Sequence, residues 1–229
     1  MRRGDGPDRS TGPAPKRRRQ RALTVKAPQL VALVGRKRAP RLEDQLGEAA
    51  TAFAADRFID ARRILRPLVD EVPDLPEGRE LYGLTLYRLG RWRDAANQLG
   101  AFVELTGGST EQHPVLADCY RALGRPKKVA ELWEELREAS PSAELVAEGR
   151  IVAAGSMADS GNLAGAITLL AKGFRFPKAP KEYHLRRAYA LADLYERSGD
   201  LPQARQLFAR LVATDPGFYD VFDRLESLG

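Results

Sequence analysis

Between Glu80 and Gly108 (ELYGLTLYRLGRWRDAANQLGAFVELTGG) the apolar positions fall into two helical sets separated by a glycine. Tyr82, Leu86 and Leu89 stand at i, i+4 and i+7, and Trp92, Ala95, Leu99 and Phe102 at i, i+3, i+7 and i+10. Each set therefore makes one stripe on a helix. Gly90, between the sets, can end the first helix in a left-handed conformation without steric penalty, and the small residues Gly83 and Ala95 let two backbones approach closely. The pattern predicts a helical hairpin.

The same pattern returns elsewhere with a period of 34 residues, giving repeats at 42–75, 76–109 and 110–143. In the first, Ala61, Leu65, Leu68 and Pro73 stand where the second has Ala95, Leu99, Phe102 and Gly107. In the third, Leu116, Ala117, Tyr120, Gly124, Val129, Trp133, Leu136 and Pro141 hold the corresponding places. A fourth copy follows a short slip, at 147–182, with Gly161, Leu163, Ala166 and Leu170 in register and a first helix expected to start near Ala147. The fifth, 185–217, is close to ideal, with Leu191, Ala192, Tyr195, Gly199, Leu201, Ala204, Phe208, Leu211 and Pro216. One such hairpin cannot bury both of its apolar faces, so the hairpins must stack and the end units need covers. Residues 218–229, with FYDVFDRLESL, predict a short amphipathic cap at one end, and Leu42 and Leu46 are expected to cover the other.

The 34-residue period, with its fixed order of aromatic or leucine, small residue, Gly, Ala, bulky residue and Pro, resembles the tetratricopeptide repeat (TPR) over residues 42–217. ADCYRALGR (117–125) and EGRIVAAGSMADSGNLAGAI (148–167) are similar to a family of TPR proteins of high-GC bacteria, which implies a bacterial, cytoplasmic protein and no established activity. The resemblance implies an all-α fold: a right-handed α-solenoid of about five TPR helix hairpins plus a C-terminal capping helix. It also implies a concave groove lined by first helices that takes a protein or peptide. The groove positions map onto Glu80, Leu84, Tyr87 and Arg88 in repeat two, Asp118 and Arg121 in repeat three, and Tyr189, Asp193 and Arg197 in repeat five. These side chains suit peptide anchoring, and equally an ordinary solvated helix face with Arg and Asp paired at i, i+3 or i+4. Glu80 and Leu84 stand where a carboxylate clamp for acidic chaperone tails would need Lys and Asn, which disfavours a co-chaperone.

Charge changes the picture at the N-terminus. The 229 residues carry a net +6, but residues 1–41 hold 13 Lys/Arg against 2 Asp/Glu, leaving 24 basic against 29 acidic residues in the body. With its Gly, Pro and Ser and almost no aromatic residue, the 1–41 segment is expected to be a disordered basic tail. Its clusters, Lys16, Arg17, Arg18, Arg19 and Arg21, then Arg36, Lys37 and Arg38, are candidates for polyanion binding, through which the protein would associate with RNA, the ribosome or DNA. A solvated extension, or one lying on its own acidic body, fits the same composition.

A second basic stretch, 172–187 (KGFRFPKAPKEYHLRR), interleaves Lys172, Arg175, Lys178 and Lys181 with Phe174, Phe176 and Tyr183. Such a mixture can hold phosphates and stack bases; the phenylalanines can equally plug the junction between repeats four and five. Chemistry of other kinds has little to stand on. The lone Cys119 excludes an internal disulfide and fits a reducing compartment, and two histidines, His113 and His184, do not make a zinc site. No nucleophile has a base beside it in the pattern, and Gly107-Gly108 lacks the Lys-Ser/Thr of a phosphate loop. No catalytic residue, metal or cofactor is expected. QLVALVG (29–35) is too short to span a bilayer, which needs about 20 apolar residues, so no membrane association is expected, while oligomeric state is left open.

Overall fold

In the computed structural model, which describes residues 23–229, every regular element among the described residues is helical. Five hairpins follow one another: α2 (Ala39–Ala54) with α3 (Phe58–Glu71), α4 (Pro76–Arg88) with α5 (Trp92–Leu105), α6 (His113–Ala122) with α7 (Pro126–Ala139), α8 (Ala143–Asp159) with α9 (Leu163–Ala171), and α10 (Glu182–Ser198) with α11 (Leu201–Thr214). A short α1 (Leu30–Val34) precedes them and α12 (Val221–Ser227) follows. From α4 onward each first helix packs on the second helix of its own hairpin, on the preceding second helix and on neighbouring first helices, so the units form an α-solenoid.

Helix ends follow from local chemistry. Proline occupies the first turn of α2, α4, α6, α7 and α11, where no backbone donor is needed. Between the helices of a hairpin the chain turns through a left-handed residue, glycine in four repeats: Gly90, Gly124, Gly161 and Gly199. In repeat one Asp56 takes that conformation at φ 54°, and its carboxylate receives Arg88 from α4 at 3.0 Å.

Two readings of the sequence are corrected. The described part of the expected tail, residues 23–41, is folded onto the first hairpin. Leu30 is fully buried, Ala27 and Ala39 nearly so, and the Leu23 N–H donates to Thr51 Oγ1 at 2.7 Å. Leu42 and Leu46, expected to cover this end, are themselves buried, and α1 is the cover. Composition alone cannot reveal this, because LVALV gains its apolar partner only from the exposed end of repeat one. Fixed among these residues, Arg38 and Arg41 both pair with Glu71 and hold its carboxyl below the usual range, the Arg38 hydrogen bond contributing most.

The fourth hairpin also begins earlier than Ala147. Ser140 turns left-handed at φ 42°, Pro141 prevents further helix, and the Ser142 hydroxyl caps Leu145 N–H at 3.1 Å, so α8 starts at Ala143 with one extra turn. The slack lies instead in the 172–181 connection before α10.

Most buried residues fall into two clusters, one from Ala27 to Cys119 and one from Ala154 to Val221, with Val129, Trp133 and Leu136 of α7 between them. Between them α7 and α8 meet at Gly149, where a Cβ would lie 2.3 Å from Leu136 Cδ2. At the far end Val221 is fully buried, with Phe218, Leu225 and Leu228 packed on the second cluster, which places α12 over repeat five.

Candidate functional site

The first helices carry a continuous concavity. Its larger part, about 780 Å³, lies between α4, α6, α8 and the start of α10. A second part of about 390 Å³ continues along α6, α8 and α10 to Tyr219, and the two share Asp118, Ile151, Val152 and Arg186. Apolar Ile151 and Val152 make a floor with charged groups around it.

Of the nine groove positions mapped from the repeat register, Tyr87 and Asp118 line the larger part, and Asp118, Arg121, Tyr189, Asp193 and Arg197 line the second. The other three lie outside both. Leu84 packs against the first core cluster, Arg88 sits over Phe58 at 4.3 Å while bonding Asp56, and Glu80 accepts from Gln112 Nε2 at 2.8 Å.

The mapped side chains that do line the groove are bonded within the fold. Tyr87 Oη donates to Asp118 Oδ2 at 2.7 Å, and Arg121 donates to Asp118 Oδ1 and to Asp159 Oδ2, both at 2.8 Å. Farther along, Tyr189 Oη donates to Asp220 at 2.6 Å, and Arg224 of α12 donates to Asp193 at 3.0 Å and to Glu196 at 2.7 Å. Tyr87 and Tyr189 both have raised phenol pKa values, from burial first and the bonded carboxylate second; for Tyr189 the value is about 12. Neither ionises near neutral pH.

The surplus charge is acidic, and the two carboxylates in no ion pair among the described residues, Glu111 and Glu182, are ones the register did not point to. Around the larger part stand five carboxylates, Glu111, Asp118, Glu144, Glu148 and Glu182, against two cations, Lys181 and Arg186. Both cations are already paired, Arg186 with Glu148 at 2.7 Å and Lys181 with Glu144 at 3.8 Å. Glu148 has a raised pKa, chiefly from burial, with Arg186 opposing and Glu182 adding to the rise. Glu144, Glu148, Val152, Gly155 and Asp159 lie on one face of α8. That spacing is visible in the sequence once α8 is known to begin at Ala143.

The basic candidates are scattered. Lys16, Arg17, Arg18, Arg19 and Arg21 lie outside the described residues. Arg36 and Lys37 are exposed, and Arg38 is bonded to Glu71. In the 172–187 stretch Lys172, Arg175 and Lys178 are exposed, whereas Lys181 belongs to the acidic groove. Phe174 and Phe176 are half-buried against the second core cluster, edge to face at 6.5 Å.

Cys119 is fully buried and its thiol is pushed up to about 12 by burial and then by Asp118, so it is a poor nucleophile at neutral pH. His113 is buried with Nε2 2.9 Å from Glu135. Among the described residues no helix is long and apolar enough to cross a membrane, and no three His, Cys, Asp or Glu stand together as metal ligands.

No family model matches the chain, and no curated protein sequence matches it. Solved structures do. TTC0263, a TPR protein of Thermus thermophilus, superposes with a TM-score of 0.61 at 20% identity, covering 82% of this chain and 98% of the other. Nearly identical TPR-like repeats of a kinesin light chain from Podospora anserina superpose at 0.60 and 19% identity, over 76% and 93%. YrrB, described as a TPR protein with an unusual peptide-binding site, superposes at 0.51 and 13% identity, over 80% and 91%. At these identities the likeness shows the fold, an α-solenoid of TPR-like hairpins.

Proposed function

We propose that this chain, whose fold is that of TPR proteins, is a non-enzymatic scaffold whose concave groove takes an extended, basic segment of a partner protein. The observation that carries the reading is the surplus of carboxylates around the larger part of the groove, where both cations are already paired. Burial raises the Glu148 pKa even with Arg186 beside it, and the nearby charge of Glu182 adds to the rise. Lys and Arg side chains of a ligand would supply the missing charge, while Ile151 and Val152 receive its apolar residues. Tyr87 and Arg121 act as walls, since their polar atoms are engaged within the fold.

Fluorescence anisotropy with labelled extended peptides tests this. Lys/Arg-rich peptides are expected to bind and Asp/Glu-rich peptides of equal length not to. The triple variant Glu144→Gln, Glu148→Gln, Glu182→Gln should weaken the basic peptide at least tenfold, about 1.4 kcal/mol. Because Glu148 takes up its proton at a higher pH than a free carboxylate, affinity should fall as pH is lowered from 7 to 5. Equal binding of acidic and basic peptides, or an unaffected triple variant, sinks the reading.

The concentration of 13 basic residues in the first 41 favours a second, separable role, attachment of the N-terminal segment to a nucleic acid or ribosome. Each phosphate neutralised contributes about −0.9 to the slope of log K against log salt on duplex DNA. Neutralising Lys16, Arg17, Arg18, Arg19 and Arg21 to Gln should therefore flatten that slope by several units in filter binding to duplex DNA. An unchanged slope removes this role.

A further inference from the structure

Away from the groove, a cavity of about 320 Å³ opens where the loop after α9 meets α8 and α10. Its ionisable lining, tyrosine apart, is wholly basic: Arg150 from α8, Arg175 from the loop, and His184 and Arg187 from α10. This happens in a body that otherwise carries more acid than base. None of the three arginines has a carboxylate partner among the described residues, although fourteen Lys or Arg pairs with carboxylates are formed elsewhere.

Part of this arrangement is structural. Arg187 donates through Nε and Nη2 to Leu170 O at 2.9 and 2.6 Å and through Nη2 to Lys172 O at 2.7 Å. Arg150 Nη1 reaches Leu169 O at 3.3 Å and Lys172 O at 3.2 Å. These bonds satisfy carbonyls at the C-terminal end of α9 that would otherwise be orphaned. They leave Arg150 Nε and Nη2 and Arg187 Nη1 with no hydrogen-bond partner among the described residues. Aromatic faces steady both guanidinium groups, Trp133 at 5.5 Å from Arg150 and Phe174 at 5.2 Å from Arg187.

Capping α9 uses both arginines, a first, Arg187, alone on Leu170 O and a second, Arg150, alone on Leu169 O. The second places like charge beside like charge in a half-buried site, and burial followed by Arg150's charge draws Arg187 down to about 10, still fully protonated at neutral pH. His184 adds a donor: its Nδ1 accepts the Lys181 N–H at 3.1 Å, which leaves the proton of the neutral ring on Nε2. Planar guanidinium groups with outward N–H bonds, fixed in place and lacking a counterion, match the oxygens of a phosphate group. A carboxylate would neutralise only one of the three charges.

We propose that this cavity is a binding site for a phosphate monoester, its phosphate held by Arg150, Arg175 and Arg187 and its organic part lying against Tyr183. The site shares Tyr183 with the groove wall but none of its arginines, and it gives the 172–187 connection a role besides joining two repeats.

Titration calorimetry and phosphorus NMR on the full chain, with phenyl phosphate and inorganic phosphate as probes and acetate as control, test the assignment. One saturable site is expected, with phenyl phosphate bound most tightly and acetate at least tenfold more weakly. Arg187→Ala would also uncap α9, so two other variants decide. Arg175→Ala removes an exposed side chain and should weaken phenyl phosphate about fivefold. Val146→Glu adds a carboxylate to the cavity wall with the cap intact and should weaken it at least tenfold. Full affinity in Val146→Glu, or no saturable binding by the unaltered chain, overturns the proposal. So does binding that vanishes when Lys16, Arg17, Arg18, Arg19 and Arg21 are changed to Gln, since that would assign the anion to the N-terminal segment.

Discussion

Phe208→Ala is expected to cost about 3–5 kcal/mol, the range for removing a fully buried aromatic side chain, and to unfold one half of the solenoid while sparing the other. Phe208 has no exposed surface, meets Tyr189 edge to face at 5.9 Å, and lies beneath the Arg224 guanidinium at 5.0 Å. It thus joins α10, α11 and α12. A single domain is stable by about 5–15 kcal/mol in all, so this loss is a large fraction of the total. In a stacked array each unit is held only by its neighbours, and damage spreads no farther than the coupling between units carries it. Hydrogen exchange should show protection falling from α8 to α12 and persisting in α2 to α5, whose core cluster ends at Cys119. A uniform loss along the chain would mean that the two clusters are one cooperative unit.

The coupling itself is tested at Gly149. A Cβ there meets Leu136 Cδ2 at 2.3 Å and Trp133 Cε3 at 3.4 Å, so Gly149→Val must push α7 and α8 apart at the place where the two core clusters adjoin. Overpacking of this kind costs about 1–3 kcal/mol, and valine's branched Cβ offers no low-energy way round Leu136. Gly149→Ala should cost less than the valine, because about 1 kcal/mol of gained helix propensity offsets part of the shift its Cβ forces on the buried Leu136. For the valine variant, urea unfolding followed by circular dichroism should change from one transition to two. A single transition with an unchanged midpoint would show that α8 is not the joint.

The hairpins were legible because the same glycine, small and bulky positions must recur wherever one unit packs on the next. Gly90, Gly124, Gly161 and Gly199 announce the turns, and the structure adds only that Asp56 performs the turn in repeat one. The ends were harder. Residues 23–41 look soluble by composition, yet Leu30 is as buried as any residue in the core, because its partner is the surface that repeat one leaves uncovered. The groove was legible in part: register placed Tyr87, Asp118, Arg121, Tyr189, Asp193 and Arg197 along it. It could not reveal the acidic surplus, which depends on Glu111, Glu144, Glu148 and Glu182 converging from three parts of the chain. The early start of α8 was the missing piece, and the Ser142 cap with Glu144 in the first turn is the local signal for it.

Along the register that runs Tyr87, Arg121, Gly155 and Tyr189, one residue per repeat, three side chains cross to a carboxylate carried by the next unit. Tyr87 reaches Asp118, Arg121 reaches Asp159 and Tyr189 reaches Asp220, while Gly155 leaves room for the Arg121 side chain, whose Cδ lies 3.6 Å from where a Cβ would be. In mechanical terms these bonds are struts on the inner side of a curved beam, and their lengths set how sharply it bends. A ligand resting against these walls would meet a curve already set by the fold and would not have to bend it.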